Sequence, residues 1–259
     1  MYELPVSCFF SCTHAQFLFS DVEWGSKLQQ STDMGKNTPL HAAARHGNVA
    51  AVKLLLQLKF DSYAKNCDGR LPIHLAAEGG HFKLVIQPDD SSTNASLLYL
   101  CMFSYKFCSV RAVLEFIHHD PKLTVAEDAN SRIPLHIACL NGHVEVVKTF
   151  NLSLHEVLHA SDCRGDTPLH LACEGRSEEV VQFLIDSGAS VREANDEEEV
   201  PIHVATQNGS VGIVEKLWKK CADTVLRRDT YKRTILHHAA MAKHNHAEII
   251  EFLIRECKW

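Results

Sequence analysis

Apolar residues along the chain fall into two kinds of short run that alternate. One kind is amphipathic: Val49, Val52, Leu55 and Leu56, then Val144, Val146 and Val147, then Val180, Val181, Leu184 and Ile185. Recurrence at three- and four-residue steps puts each set on one face of a helix. The other kind opens on threonine or an aliphatic residue, followed by an almost invariant proline, an aliphatic residue and a histidine. Its copies are Thr38-Pro39-Leu40-His41, Leu71-Pro72-Ile73-His74, Ile133-Pro134-Leu135-His136, Thr167-Pro168-Leu169-His170, Val200-Pro201-Ile202-His203 and Thr234-Ile235-Leu236-His237. A threonine hydroxyl can cap the first free amides of a helix. Proline suits the first helical position, where its missing N–H leaves nothing unpaired. Alanines such as Ala42, Ala43 and Ala44 then favour helix and allow close approach. Gly47, Gly80, Gly142 and Gly209 follow about six residues after the histidine and permit a left-handed turn. Each copy therefore predicts a short first helix, a tight turn and an amphipathic second helix.

The six histidines stand 33, 62, 34, 33 and 34 residues apart. One such unit cannot bury its own apolar faces, and stacked neighbours can. The Thr-Pro-Leu-His pattern and its period resemble the ankyrin repeat. The resemblance implies an all-α solenoid of helix-turn-helix units joined by β-hairpin or loop fingers. Six repeats are expected near 36–68, 69–130, 131–164, 165–197, 198–231 and 232–259. Residues 1–35 carry no signature and are expected to form a divergent cap repeat or a loose tail. Repeat four follows the family pattern most closely, through Gly188, except that Arg176 takes the usual glycine place and predicts a slightly different turn.

The 62-residue gap has two readings. Residues 86–110 are an insertion in repeat two, or they belong to a degenerate seventh repeat with helices at 96–103 and 110–118. Insertion is preferred because joining His81-Phe82-Lys83-Leu84-Val85 to Arg111-Ala112-Val113-Leu114-Glu115-Phe116 restores one amphipathic helix. The removed piece includes Pro88, Asp89, Asp90, Ser91 and Ser92, which break helices.

Composition narrows the function. The net charge of −6 over 259 residues shows no basic bias, so nucleic acid is not expected. No apolar run of 18 residues predicts a membrane span. Ten scattered cysteines without Cys-x-x-Cys spacing favour a reducing, cytoplasmic setting. Cys139 and Cys173 are expected in the core. No phosphate-cradling loop, nucleophile elbow or His-Glu-x-x-His motif is present, so no enzyme activity and no cofactor are expected.

The recurring signature residues Thr38, Pro39, His41, Pro72, His74, Pro134, His136, Thr167, Pro168, His170, Pro201, His203, Thr234 and His237 are expected to be structural. The histidines would hydrogen-bond neighbouring repeats. The group His237, His238, His244 and His246 lacks the converging set that zinc requires, so no metal is expected. Partner contact is expected at finger tips: Asp196, Glu197, Glu198 and Glu199 on one, Arg227, Arg228, Tyr231 and Lys232 on the next, with Tyr63 as a further aromatic anchor. Tips of opposite sign would also lock to each other or steer a polar partner.

The leading expectation is a non-enzymatic scaffold or adaptor that binds a protein partner. Two others come from resemblance: part of the cytosolic ankyrin region of a transient receptor potential-like cation channel, and a substrate-presenting adaptor for a kinase or ubiquitin ligase.

Overall fold

The computed structural model describes residues 30–79, 108–150, 157–242 and 244–257. The expected N-terminal cap or tail lies outside the described residues up to position 29, as does most of the 86–110 segment. Among the described residues there are twelve α-helices and no strand. Six are first helices: α1 Pro39–Arg45, α3 Pro72–Glu78, α5 Pro134–Leu140, α7 Pro168–Glu174, α9 Pro201–Gln207 and α11 Ile235–Met241. Six are second helices: α2 Val49–Gln57, α4 Cys108–His119, α6 Val144–Thr149, α8 Glu178–Asp186, α10 Val211–Lys220 and α12 His246–Cys257.

Each first helix packs on the next first helix, each second helix on the next second helix, and each pair packs together. The result is two layers with a shared apolar seam. Leu40, Ile73, Leu135, Leu169, Ile202 and Ile235 fill it from the first layer, and Val52, Val113, Val147, Val181 and Val214 from the second. Cys139 and Cys173 lie in this seam, and burial pushes both thiols far above their ordinary pKa.

The signature histidine holds the stack in register. In every copy its Nδ1 accepts the N–H of the residue capping its helix, at 3.1–3.2 Å. This holds where the cap is Leu71, Ile133 or Val200 and no hydroxyl is available. With Nδ1 accepting, Nε2 carries the proton and donates to the following repeat. His41 reaches the Arg70 carbonyl at 3.0 Å, His74 that of Arg132 at 2.9 Å, His170 that of Glu199 at 3.0 Å and His203 that of Arg227 at 3.3 Å. His136 is shared between the carbonyls of Ala160 and Asp166, both at 3.2 Å. Burial pushes His74, His136, His170 and His203 down to about 4 and lowers His41 as well.

Fingers link the pairs as loops built on one motif. The side chain of Asp33, Asn66, Asp128, Asp162 or Asn195 accepts the N–H groups two and four residues on, at 2.8–3.0 Å. The residue three positions on is left-handed in every finger: Lys36, Gly69, Ser131, Gly165, Glu198 and Lys232. Each finger bonds to its neighbour through one main-chain contact: Cys67 to Gly35, Ala129 to Asp68, Cys163 to Asn130, Asp196 to Arg164 and Thr230 to Glu197.

One turn departs from expectation. Arg176 adopts φ 58°, close to Gly47 at 62° and Gly142 at 72°, so the repeat-four turn keeps the ordinary shape without its glycine. The preceding Gly175 is needed for another reason: a Cβ there would strike the Leu140 carbonyl of the previous helix. In repeat one, Lys59 takes the left-handed place that Gly188 holds in repeat four.

Across the long gap the layers continue without a break. α3 packs directly on α5, and α4 packs on α2, α3 and α6. α4 fills the second-helix place with its own residues, burying Ala112, Val113 and Phe116. Residues 80–107, on which the choice between an insertion and a degenerate repeat turns, lie outside the described residues.

Candidate functional site

The repeated finger motif sets side chains in rows. Two residues after the turn-forming side chain lies a rim position, occupied in the last three fingers by Arg164, Glu197 and Tyr231. Four residues after it lies an inner position, occupied by Asp166, Glu199 and Arg233. Facing them, four residues beyond the signature histidine, are Glu174 on α7 and Gln207 on α9. Between fingers and first helices these rows enclose a cleft of about 260 Å³, lined by Arg164, Asp166, Glu174, Glu197, Glu199 and Gln207 among others.

The cleft carries more negative charge than the chain itself neutralises. Asp166, Glu174, Glu197 and Glu199 line it with one guanidinium, Arg164, and a second, Arg233, approaches Glu199 at 3.8 Å. Arg164 lies 2.9 Å from Asp166 and 3.1 Å from Glu174. Burial raises the Asp166 carboxyl above its ordinary pKa, and Asp162 and Glu174 add to the rise against the Asn195 hydrogen bond and Arg164. Burial, with Glu197 beside it, pushes Glu199 up to about 6. Carboxylates held close in a partly dry cleft repel one another, and a cation relieves that repulsion.

The expected partner residues divide into two groups. Glu197 is exposed and lines the cleft, and Tyr231 on the next finger is 69% exposed, with the Arg233 guanidinium 4.6 Å from its ring centre. Glu198 and Lys232 are exposed at the left-handed positions of their fingers, and Asp196 is exposed with its N–H on the Arg164 carbonyl. Glu199 departs from the expected exposed tip: it is 6% exposed and points inward. Its cation is Arg233, at 3.8 Å, in place of the expected lock with Arg227, Arg228 or Lys232. Arg227 and Arg228 are exposed but precede the finger and do not line the cleft. Tyr63 lies away from it, in repeat one. Its hydroxyl donates to Asp120 at 2.7 Å, which pushes the phenol up to about 12.

Sequence reading missed Arg164, Asp166, Glu174 and Arg233. Their signal was positional, two and four residues past the finger aspartate or asparagine and four past the histidine. It also missed the behaviour of the last repeat. There His237 is exposed, and the next residue, His238, is buried where Leu75, Ile137 and Leu171 lie in other repeats.

Comparison with known proteins agrees with this architecture. The family model described as ankyrin repeats matches in three copies, over residues 10–87, 97–195 and 189–258. The chain is 29% identical over 216 residues to the "Probable 26S proteasome regulatory subunit p28" of Saccharomyces cerevisiae, spanning 83% of each chain. It is 30% identical over 137 residues to the "Transient receptor potential cation channel subfamily A member 1 homolog" of Caenorhabditis elegans, covering half of this chain and 11% of that one. It is 26% identical over 163 residues to the "Probable E3 ubiquitin-protein ligase XBOS32" of Oryza sativa subsp. japonica, of which it spans 33%. Among the described residues no helix is long and apolar enough to cross a membrane. With stacked helix pairs, histidine staples and a family match over most of its length, the chain belongs to the ankyrin-repeat proteins, whose fold is a protein-interaction module.

Proposed function

We propose that the chain is a non-enzymatic scaffold that receives a partner protein in the cleft of repeats four to six. The observation that carries this is the unbalanced charge of the cleft: four carboxylates meet two arginines, Arg164 in the lining and Arg233 against Glu199, beside an exposed tyrosine. That surface suits a segment bearing lysine or arginine, with Glu174 and Glu197 as charge partners and Tyr231 as a flat, low-entropy contact.

The match to the proteasome regulatory subunit runs over 83% of both chains, whereas the channel and ligase matches take in 11% and 33% of longer proteins. That supports an adaptor of a large assembly, with the 26S proteasome as first candidate and the cytoplasm as the expected setting. The channel reading rests on a match of similar identity to half of the chain, and it predicts membrane-spanning sequence encoded downstream.

The test is binding of the full chain to purified 26S proteasome by surface plasmon resonance. The double reversal Glu174→Lys with Glu197→Lys is expected to weaken binding at least tenfold, about 1.4 kcal/mol, with the melting temperature kept. Arg227→Glu with Arg228→Glu is expected to change little. Binding indifferent to the first pair and lost with the second would move the site to the basic tip.

A further inference from the structure

Beneath the cleft, three buried ligating side chains from separate elements meet: Glu199 of the fifth finger, Asp229 of the sixth and His238 of α11. Nε2 of His238 is 3.2 Å from Asp229 Oδ2 and 3.7 Å from Glu199 Oε1, and all three ligand atoms lie within 4.8 Å of one another. Four-coordinate zinc with bonds near 2.0 Å needs ligand atoms roughly 3.3 Å apart, so this spacing is close to one face of such a site. The donor set of one imidazole and two carboxylates suits a divalent transition metal.

Two further observations separate this trio from an ordinary acidic cluster. His238 is 1% exposed and its Nδ1 has no hydrogen-bond partner, so Asp229 and Glu199 are the groups that orient a buried polar ring. The cation now serving the acids also has somewhere else to go. Arg233 Nε lies 2.5 Å from Asp229 Oδ2, but its guanidinium also lies over the Tyr231 ring at the edge of solvent. Two carboxylates with one guanidinium leave a net negative charge in a buried place; a divalent ion in its stead leaves none.

We propose that Glu199, Asp229 and His238 form a binding site for a divalent transition metal such as zinc, with Arg233 as a displaceable plug. A water would complete the four positions. The Asp229 Oδ1 bond from the Arg233 N–H, at 2.7 Å, would keep that carboxylate oriented. The ion would tie the last two fingers to α11 directly below the cleft. This departs from the sequence expectation of no metal, and of the four histidines weighed there it uses His238 alone. It stands whether or not the cleft binds a basic segment.

The test is titration of the full chain with zinc alone by calorimetry, and with cobalt(II) followed by its visible absorption. His238→Leu repeats the residue found at Leu75 and Leu171, so the fold should be kept, and it is expected to weaken zinc binding at least tenfold. Arg233→Ala removes the plug and is expected to tighten binding about tenfold, a gain that misfolding cannot imitate. The unsubstituted protein and Arg233→Ala should both show the absorption of four-coordinate cobalt, lost in His238→Leu. Zinc binding unchanged by His238→Leu would place the ion on exterior groups and overturn the proposal. Absence of binding in Arg233→Ala would overturn it equally.

Discussion

His170 and His237 occupy the same place in their repeats and meet opposite fates. Both accept the N–H of a threonine that caps their own helix, at 3.1 Å. His170 is buried and its Nε2 reaches the Glu199 carbonyl of the next finger, while His237 is exposed. The motif alone therefore does not make an interior staple. The next repeat does, by supplying a carbonyl and covering the ring. Where among the described residues no further repeat follows, burial passes to His238, which turns to carboxylates.

The largest expected consequence is acid sensitivity. His74, His136 and His170 are held neutral with folded values of about 4, against an ordinary 6.5. Between those values the unfolded chain binds more protons than the folded one, so stability is present above pH 6.5 and lost as pH falls toward 4. Each ring contributes about 3 kcal/mol to that loss. Urea midpoints measured from pH 7 to 4.5 should fall steeply, and a flat profile would mean that the rings protonate without unfolding.

Next in size is the direct contrast. His170→Ala leaves the Thr167 amide and the Glu199 carbonyl without their partner and should cost about 3 kcal/mol. His237→Ala removes one exposed cap and should cost about 0.5 kcal/mol. Equal losses in denaturant unfolding would break the comparison.

Smaller still is the effect expected from closing the long gap. Deleting the 28 residues 81–108 brings His74 and His136 from 62 to 34 apart and leaves Gly79-Gly80-Ser109-Val110 in the register of His46-Gly47-Asn48-Val49. Because α3 already packs on α5, and His74 already bonds Arg132, the stack should survive with its melting temperature moved by about 5 °C or less. Loss of cooperative unfolding would show that the removed residues are part of the stack.

What could be read from the chain follows the range of the forces involved. The prolines at Pro39, Pro72, Pro134, Pro168 and Pro201 mark helix starts because capping is decided within four residues. The second helices were legible from Val180, Val181, Leu184 and Ile185 and their counterparts because the periodic face lies within one element. Arg176 was misjudged because the left-handed turn was read as needing glycine, whereas an arginine takes it at φ 58°. Glu199 looked like a surface tip in an acidic run, but it is covered by Arg233 and His238, more than thirty residues on. The cleft, likewise, joins residues one repeat apart, and no local run of sequence announces it.

The most direct test of the staple is the protonation state of His170, followed by nitrogen-15 NMR of the ring at pH 5.5. The buried bond to Glu199 predicts a neutral imidazole with its hydrogen on Nε2 and Nδ1 bare. A charged ring, or a neutral one with the hydrogen on Nδ1, in the still-folded protein would contradict it.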